Sequence, residues 1–161
     1  MPLARLAERT FRDTYTAGNT AENMELHCRT SYTEEIQARE IADPMMVTLL
    51  AEQGQELIGF AQLRWGSAPA CVKGKAPGEI LRIYVLREWQ GKGIAQALIA
   101  ACLAELAARG SDLVWLGVWE RNPRAMAFYR KLGFVERGEH VYQVGDDAQR
   151  DIVMVREVGT A

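Results

Sequence analysis

The chain has 161 residues, 48% of them hydrophobic and 25% charged, enough for one domain with a sizeable core. Its formal net charge of −2 lacks the basic excess of a phosphate-backbone binder, so no nucleic-acid role is expected. No apolar run approaches the ~20 residues of a membrane span, and MPLARLAERT lacks the apolar core of a signal peptide, so a cytoplasmic protein without membrane contact is expected.

The first predicted element is an amphipathic helix. Leu3, Leu6, Ala7, Phe11 and Tyr15 recur at helical spacing, and AGN at 17–19 stops it. Shorter helices are predicted over 21–28 and 33–41, the latter ending before Pro44. MMVTLLAEQ (45–53) and ELIGFAQLRW (56–65) read as a β-hairpin. A Gly- and Pro-containing loop follows at 66–78. EILRIYVL (79–86) is a buried strand, rich in β-branched and aromatic residues. A helix over 94–109 ends at Gly110, and LVWLGVW (113–119) is a second buried strand. These three elements form a βαβ unit, so their strands are parallel. Asn122 is a helix N-cap, Pro123 its first residue and Gly133 its stop. FVERGEHVYQVG and RDIVMVRE close the chain as a hairpin across GDDAQ (145–149).

Two stretches carry chemistry. The first is the turn QGKGIA, Gln90, Gly91, Lys92, Gly93, Ile94 and Ala95, at the head of a helix. A helix N-terminus leaves N–H groups unpaired and carries partial positive charge, so an anion fits there. The glycines let backbone approach it, and Lys92 adds charge; a plain turn is the competing reading. The turn is neither a P-loop nor a full GxGxxG. The second stretch is NPRAMAFYRKLGF, where Tyr129 is either a core aromatic or a proton donor. The three cysteines, Cys28, Cys71 and Cys102, are widely spaced and form no CxxC pair. With only two histidines, His27 and His140, no metal site is expected.

Gln90, Gly93 and Ala95 match a Q/R-x-x-G-x-G/A signature, and Asn122, Ala125, Phe128, Tyr129, Leu132, Gly133 and Phe134 match N-x-x-A-x-x-F-Y-x-x-x-G-F. Together, in this order, they resemble the GNAT superfamily of N-acetyltransferases. ILRIYV, WLGVWERNPRAMAFYRKLGF and VYQVGDDAQRDIVM resemble its bacterial spermidine/spermine (polyamine) subgroup. One departure stands out: the family's first strand, of IRxA type, has no counterpart before the opening helix, so either the strand is absent or the start is assigned downstream of the true one. An absent edge strand leaves its neighbour's backbone unpaired.

The resemblance implies a single N-acetyltransferase domain over 1–161. Its fold would be α+β, a mixed and largely antiparallel central sheet with helices on both faces. One parallel strand pair would splay apart at the acetyl-CoA site. It implies acetyl transfer from acetyl-CoA, a cosubstrate, to a primary amine such as a polyamine, with no metal. The turn 90–95 would hold the CoA diphosphate. Ile83, Tyr84 and Val85 would present strand backbone to the pantetheine arm and an N–H to the developing oxyanion. Asn122 would bind the pantetheine, unless its oxygen is spent as the N-cap. Tyr129 would bind beside the thioester and protonate the departing thiolate. For the base, Glu79 is the candidate on strand parity with Leu81 and Ile83, with Tyr84 and Glu120 behind it. A polyamine pocket would be acidic and aromatic, drawing on Asp13, Tyr15, Glu22, Glu25, Tyr32, Trp65 and Trp119. A homodimer is expected by the same resemblance. Other acceptors on this fold, another small amine, an antibiotic or a protein N-terminus, are the alternatives within enzymes. A non-catalytic acetyl-CoA-binding regulatory module is the alternative outside them.

Overall fold

The computed structural model describes residues 2–158. Three helices open the chain: α1 (Pro2–Tyr15), α2 (Ala21–Ser31) and α3 (Glu34–Ala42). The hairpin β1 (Met46–Gln53) and β2 (Glu56–Trp65) follows, then β3 (Pro77–Val85), α4 (Ile94–Ala108) and β4 (Leu113–Trp119). Helix α5 (Pro123–Lys131) and the hairpin β5 (Val135–Val144) and β6 (Asp147–Glu157) complete it. The six strands form one sheet in the order β1-β2-β3-β4-β6-β5, antiparallel except for the β3–β4 pair. This is the mixed α+β sheet expected from the sequence.

Each face of the sheet has its own core. On one, Phe11, Tyr15, Met24 and Tyr32 of α1, α2 and the turn after α2 pack on Ile58, Phe60 and Trp119. On the other, Leu98, Ile99, Cys102 and Leu106 of α4 pack on Ala61, Leu63, Ile80, Val114, Leu116 and Met154. The α4 residues follow i, i+1, i+4, i+8, one helical stripe, while the remaining faces are largely alanine. Full burial of such a Leu, Ile or Phe contributes about 1.5–3 kcal/mol.

Two local details differ from the sequence reading. Helix α2 runs on to Ser31, because Tyr32 caps it through its N–H to Cys28 O and turns its ring into the core. The last hairpin turns at Gly145 and Asp146, so Asp147, Ala148 and Gln149 of the expected loop belong to β6.

Candidate active site

Strands β3 and β4 pair through only Pro77–Leu113, Gly78–Val114 and Glu79–Trp115. Beyond that they diverge, although β3 stays paired to β2 and β4 to β6. Backbone from Ile80 to Val85 therefore faces backbone from Leu116 to Trp119 across a gap. The gap opens into a cleft of about 700 Å³ that reaches both faces of the sheet. On the α4 face it is lined by Gln90, Gly91, Gly93, Ala95, Asn122, Phe128 and Tyr129; on the α1 face by Tyr15, Tyr84, Trp119, Tyr142 and Asp151.

The head of α4 leaves its first N–H groups open. Gly91 and Gly93 hold φ of 76° and 83°, the left-handed region that glycine enters without strain. Gly93 is the N-cap, so among the described residues no side chain occupies the first N–H groups of α4. Gln90 donates Nε2 to Val85 O at 3.1 Å and ties the turn to the end of β3. Lys92 and Ile94 do not line the cleft. The Lys92 ammonium lies 5.7 Å from the Trp89 ring, and Ile94 packs into both cores.

Asn122 caps α5, its Oδ1 accepting from Ala125 N at 3.2 Å. The carbonyl is spent on the cap, which leaves its amide N–H groups for the cleft. Asn122→Ala is expected to cost about 1 kcal/mol, the usual value of a cap. Asn122→Asp keeps the acceptor, removes the donor and adds a negative charge at the helix N-terminus, so thermal unfolding should hold. Equal CoA affinity in Asp and wild type, by calorimetry, would limit Asn122 to the cap.

Tyr129 stands on the same helix, edge-on to Phe128 and Phe134 at centroid distances of 5.3 and 5.8 Å. Burial pushes its hydroxyl well above the ordinary tyrosine value, so it carries its proton at neutral pH. Ile83, Tyr84 and Val85 line the cleft as expected.

Glu79 is not in the cleft. It lies at the paired end of β3, 5% exposed, in an ion pair with Arg64 of β2. Burial raises its pKa, and Arg64 opposes the rise. The parity that would join it to Ile83 fails because β3 bulges: Gln62 pairs with Arg82 but Leu63 with Ile80, so Leu81 is an extra residue. Glu79 thus shares a face with Arg82 and Tyr84 instead. Glu120 pairs with Arg150 outside the cleft. Of the expected pocket acids and aromatics, Asp13, Tyr15 and Trp119 line the cleft. Glu25 pairs with Arg12, Trp65 lies under the Arg109 guanidinium at 4.4 Å, and Tyr32 is buried beneath Arg82. Glu22 also lies outside the cleft lining.

Asp151, absent from the sequence expectations, is the buried carboxyl of the α1 face. Burial first, then the charge of Glu120, raises its pKa to about 7. His27 backs the same wall, its Nδ1 at 3.1 Å from Gln143 O and its Nε2 at 3.3 Å from the Tyr142 hydroxyl. Burial lowers His27 to about 4, so it is neutral and fixes Tyr142 in the cleft wall.

The model of the acetyltransferase (GNAT) family matches residues 6–134, four fifths of the chain. The chain belongs to the GNAT family. An uncharacterized N-acetyltransferase of Mycobacterium tuberculosis is 31% identical over 156 residues, covering 97% of this chain and 96% of that protein. A mycothiol acetyltransferase of Thermobispora bispora is 41% identical over 88 residues, 53% of this chain but 28% of that one. A PaiA N-acetyltransferase of Thermoplasma acidophilum, solved with coenzyme A, shares the fold with this GNAT chain. Its TM-score is 0.75 at 24% identity, covering 97% of this chain and 91% of that one. Among the described residues of this GNAT protein, no group of three or more His, Cys, Asp or Glu could hold a metal ion, and no helix is long and apolar enough to cross a membrane.

Proposed function

We propose that this GNAT enzyme transfers an acetyl group from acetyl-CoA to a small primary amine bearing one ammonium group. The observation that carries this is the split between β3 and β4, which opens the sheet from the head of α4 to the α1 face. The residues fit a CoA donor. The open N–H groups of α4 suit a diphosphate, and a cleft edge of unpaired β3 backbone suits the amides of a pantetheine arm. Arg87, Arg121 and Arg124 add positive charge to the lining. Acetyl-CoA supplies the activated acyl group when bound; the chain supplies orientation and proton transfer.

The donor side of the split holds Tyr129, whose protonated hydroxyl suits the role of acid toward a departing thiolate. The acceptor side is walled by Tyr15, Tyr84, Tyr142 and Trp119, flat surfaces that suit an ammonium or an aromatic body. Charge argues for a monoamine over the polyamine that the sequence resemblance implied. Arg82 is neutralised by Glu40, and Arg87, Arg121 and Arg124 belong with the donor's phosphates, so among the described residues Asp151 is the one buried carboxyl that lines the cleft. One buried carboxyl suits one ammonium.

Thiol release from acetyl-CoA tests this, screened over aromatic and aliphatic monoamines, amino acids, aminoglycosides, spermidine and spermine. Fastest turnover with a monoamine is the expected result. Fastest turnover with spermidine would restore the polyamine. Thermal stabilisation by acetyl-CoA without thiol release from any amine would favour a regulatory module. The phosphate end is tested separately. Gly93→Asp should weaken acetyl-CoA binding at least tenfold, and Gly93→Asn much less, because asparagine tolerates the left-handed backbone without adding charge. Equal losses would mean that strain, not repulsion, sets the effect.

A further inference from the structure

We infer that Asp151 is the general base that takes the ammonium proton of the acceptor. The inference rests on the acetyltransferase reading above and names a residue on the last strand.

The geometry comes first. Register places Asp151 opposite Trp119 on β4 and opposite His140 on β5. Its side chain points to the α1 face, at the wall of the split. It is 5% exposed, yet Oδ1 has no hydrogen-bond partner among the described residues. An unpartnered buried carboxyl oxygen carries a desolvation penalty that a ligand donor would relieve. The neighbouring strand is cut back for it. A Cβ on Gly117 would stand 2.7 Å from Asp151 Oδ2 and 2.7 Å from His140 Nε2. Glycine at 117 keeps this carboxyl in place beside the gap.

The two faces of the sheet divide the chemistry. Tyr129 approaches the split from the α4 face and Asp151 from the α1 face. A base belongs on the amine side and an acid on the sulfur side. In the transfer, Asp151 takes one proton from the ammonium nitrogen, freeing its lone pair. The nitrogen bonds to the thioester carbon as the carbon–sulfur bond breaks, and Tyr129 gives its proton to sulfur. The nitrogen's second proton restores Tyr129, and Asp151 returns its proton to solvent as product leaves.

The groups facing Asp151 set its titration. His140 of β5 lies at 3.7 Å, too far for a hydrogen bond, and burial lowers its pKa, so it is neutral near pH 7. Tyr15 of α1, Tyr84 of β3 and Tyr142 of β5 are all raised by burial and stay protonated. Glu120, in the turn after β4, adds negative charge, shared with Arg150. Arg82 of β3 is tied to Glu40. The result is a carboxyl with a pKa near 7, suited to receive a proton at neutral pH.

The test is kcat/KM against pH with the best monoamine. Wild type should rise through about pH 7 and stay level until the amine itself titrates near ~10. Asp151→Asn has no base, so its rate should follow the neutral amine, tenfold per pH unit. At pH 7.5 the loss should be on the order of a hundredfold or more, and by pH 10 it should nearly vanish. His140→Gln should keep the wild-type profile. A wild-type profile with no limb near 7 would overturn the inference without any variant. So would Asp151→Asn keeping both limb and rate, or His140→Gln losing the limb, which would make the histidine the base. These failures leave amine-dependent thiol release standing. Absence of thiol release with every amine would remove the acetyltransferase reading and this one with it.

Discussion

Tyr129→Phe should lower kcat about a hundredfold with the best amine and leave acetyl-CoA affinity within about twofold. The substitution removes one oxygen. The ring stays edge-on to Phe128 and Phe134, so α5 and the floor of the cleft keep their packing. What disappears is the proton that burial holds on the hydroxyl. The departing thiolate must then draw its proton from water, without a positioned donor. Single-turnover rates separate this from product release. An unchanged chemical step would take Tyr129 out of the reaction and leave it as a core aromatic.

The second large effect is on stability. Arg82 Nη1 donates to Glu40 Oε2 and to Gln62 Oε1, each at 2.6 Å, with both charged side chains about 15% exposed. The guanidinium also lies 5.3 Å from the centre of the Tyr32 ring, so one side chain joins β3 to α3 and to the turn after α2. Arg82→Met strands the Glu40 carboxylate and the Gln62 carbonyl. Breaking one half of a buried pair costs about 3–5 kcal/mol. In a domain of this size each kcal/mol lowers Tm by about 2–4 °C, so a fall of about 10 °C is expected. Adding Glu40→Met should recover much of the loss, because the stranded charge goes with it. A double variant as unstable as the sum of both singles would show that packing, not charge, dominates there.

The parts of the fold legible in the sequence are those written locally. The stripe of α1, the glycine turn before α4, and the Asn122–Pro123 start and Gly133 stop of α5 are set by residues a few positions apart. The cofactor side of the cleft inherits that legibility, since it is built from a turn and a helix. The acceptor side does not. Simple alternation puts Glu79 with Ile83, and one extra residue at Leu81 reverses alternation without a mark in the sequence. Asp151 is hard to find because its burial needs β4 and α1, both distant in the chain, as well as its hairpin partner β5. One signal does exist: Asp151 shares parity with Val153 and Val155, so a carboxyl stands in an inward-facing row of RDIVMV. Of the expected acidic pocket only Asp13, with Tyr15 and Trp119, meets at the cleft, for a related reason. Acids on α2 look outward, and Glu25 is engaged by Arg12.

Three residue pairs are all that join β3 to β4 by backbone. The sheet is therefore two three-stranded plates, β1-β2-β3 and β4-β6-β5, meeting along a short seam. Helix α4 lies mainly over the strands of the first plate. On the opposite face the straps are aromatic side chains: Tyr15 of α1 against Trp119 at a ring distance of 4.7 Å, and His27 of α2 holding Tyr142. The width of the reaction gap is then set by side-chain packing, which slides at little cost, and not by a hydrogen-bond ladder, which steps in fixed increments. A donor whose amides pair with the free edge of β3 would add rungs along the seam and stiffen the whole sheet.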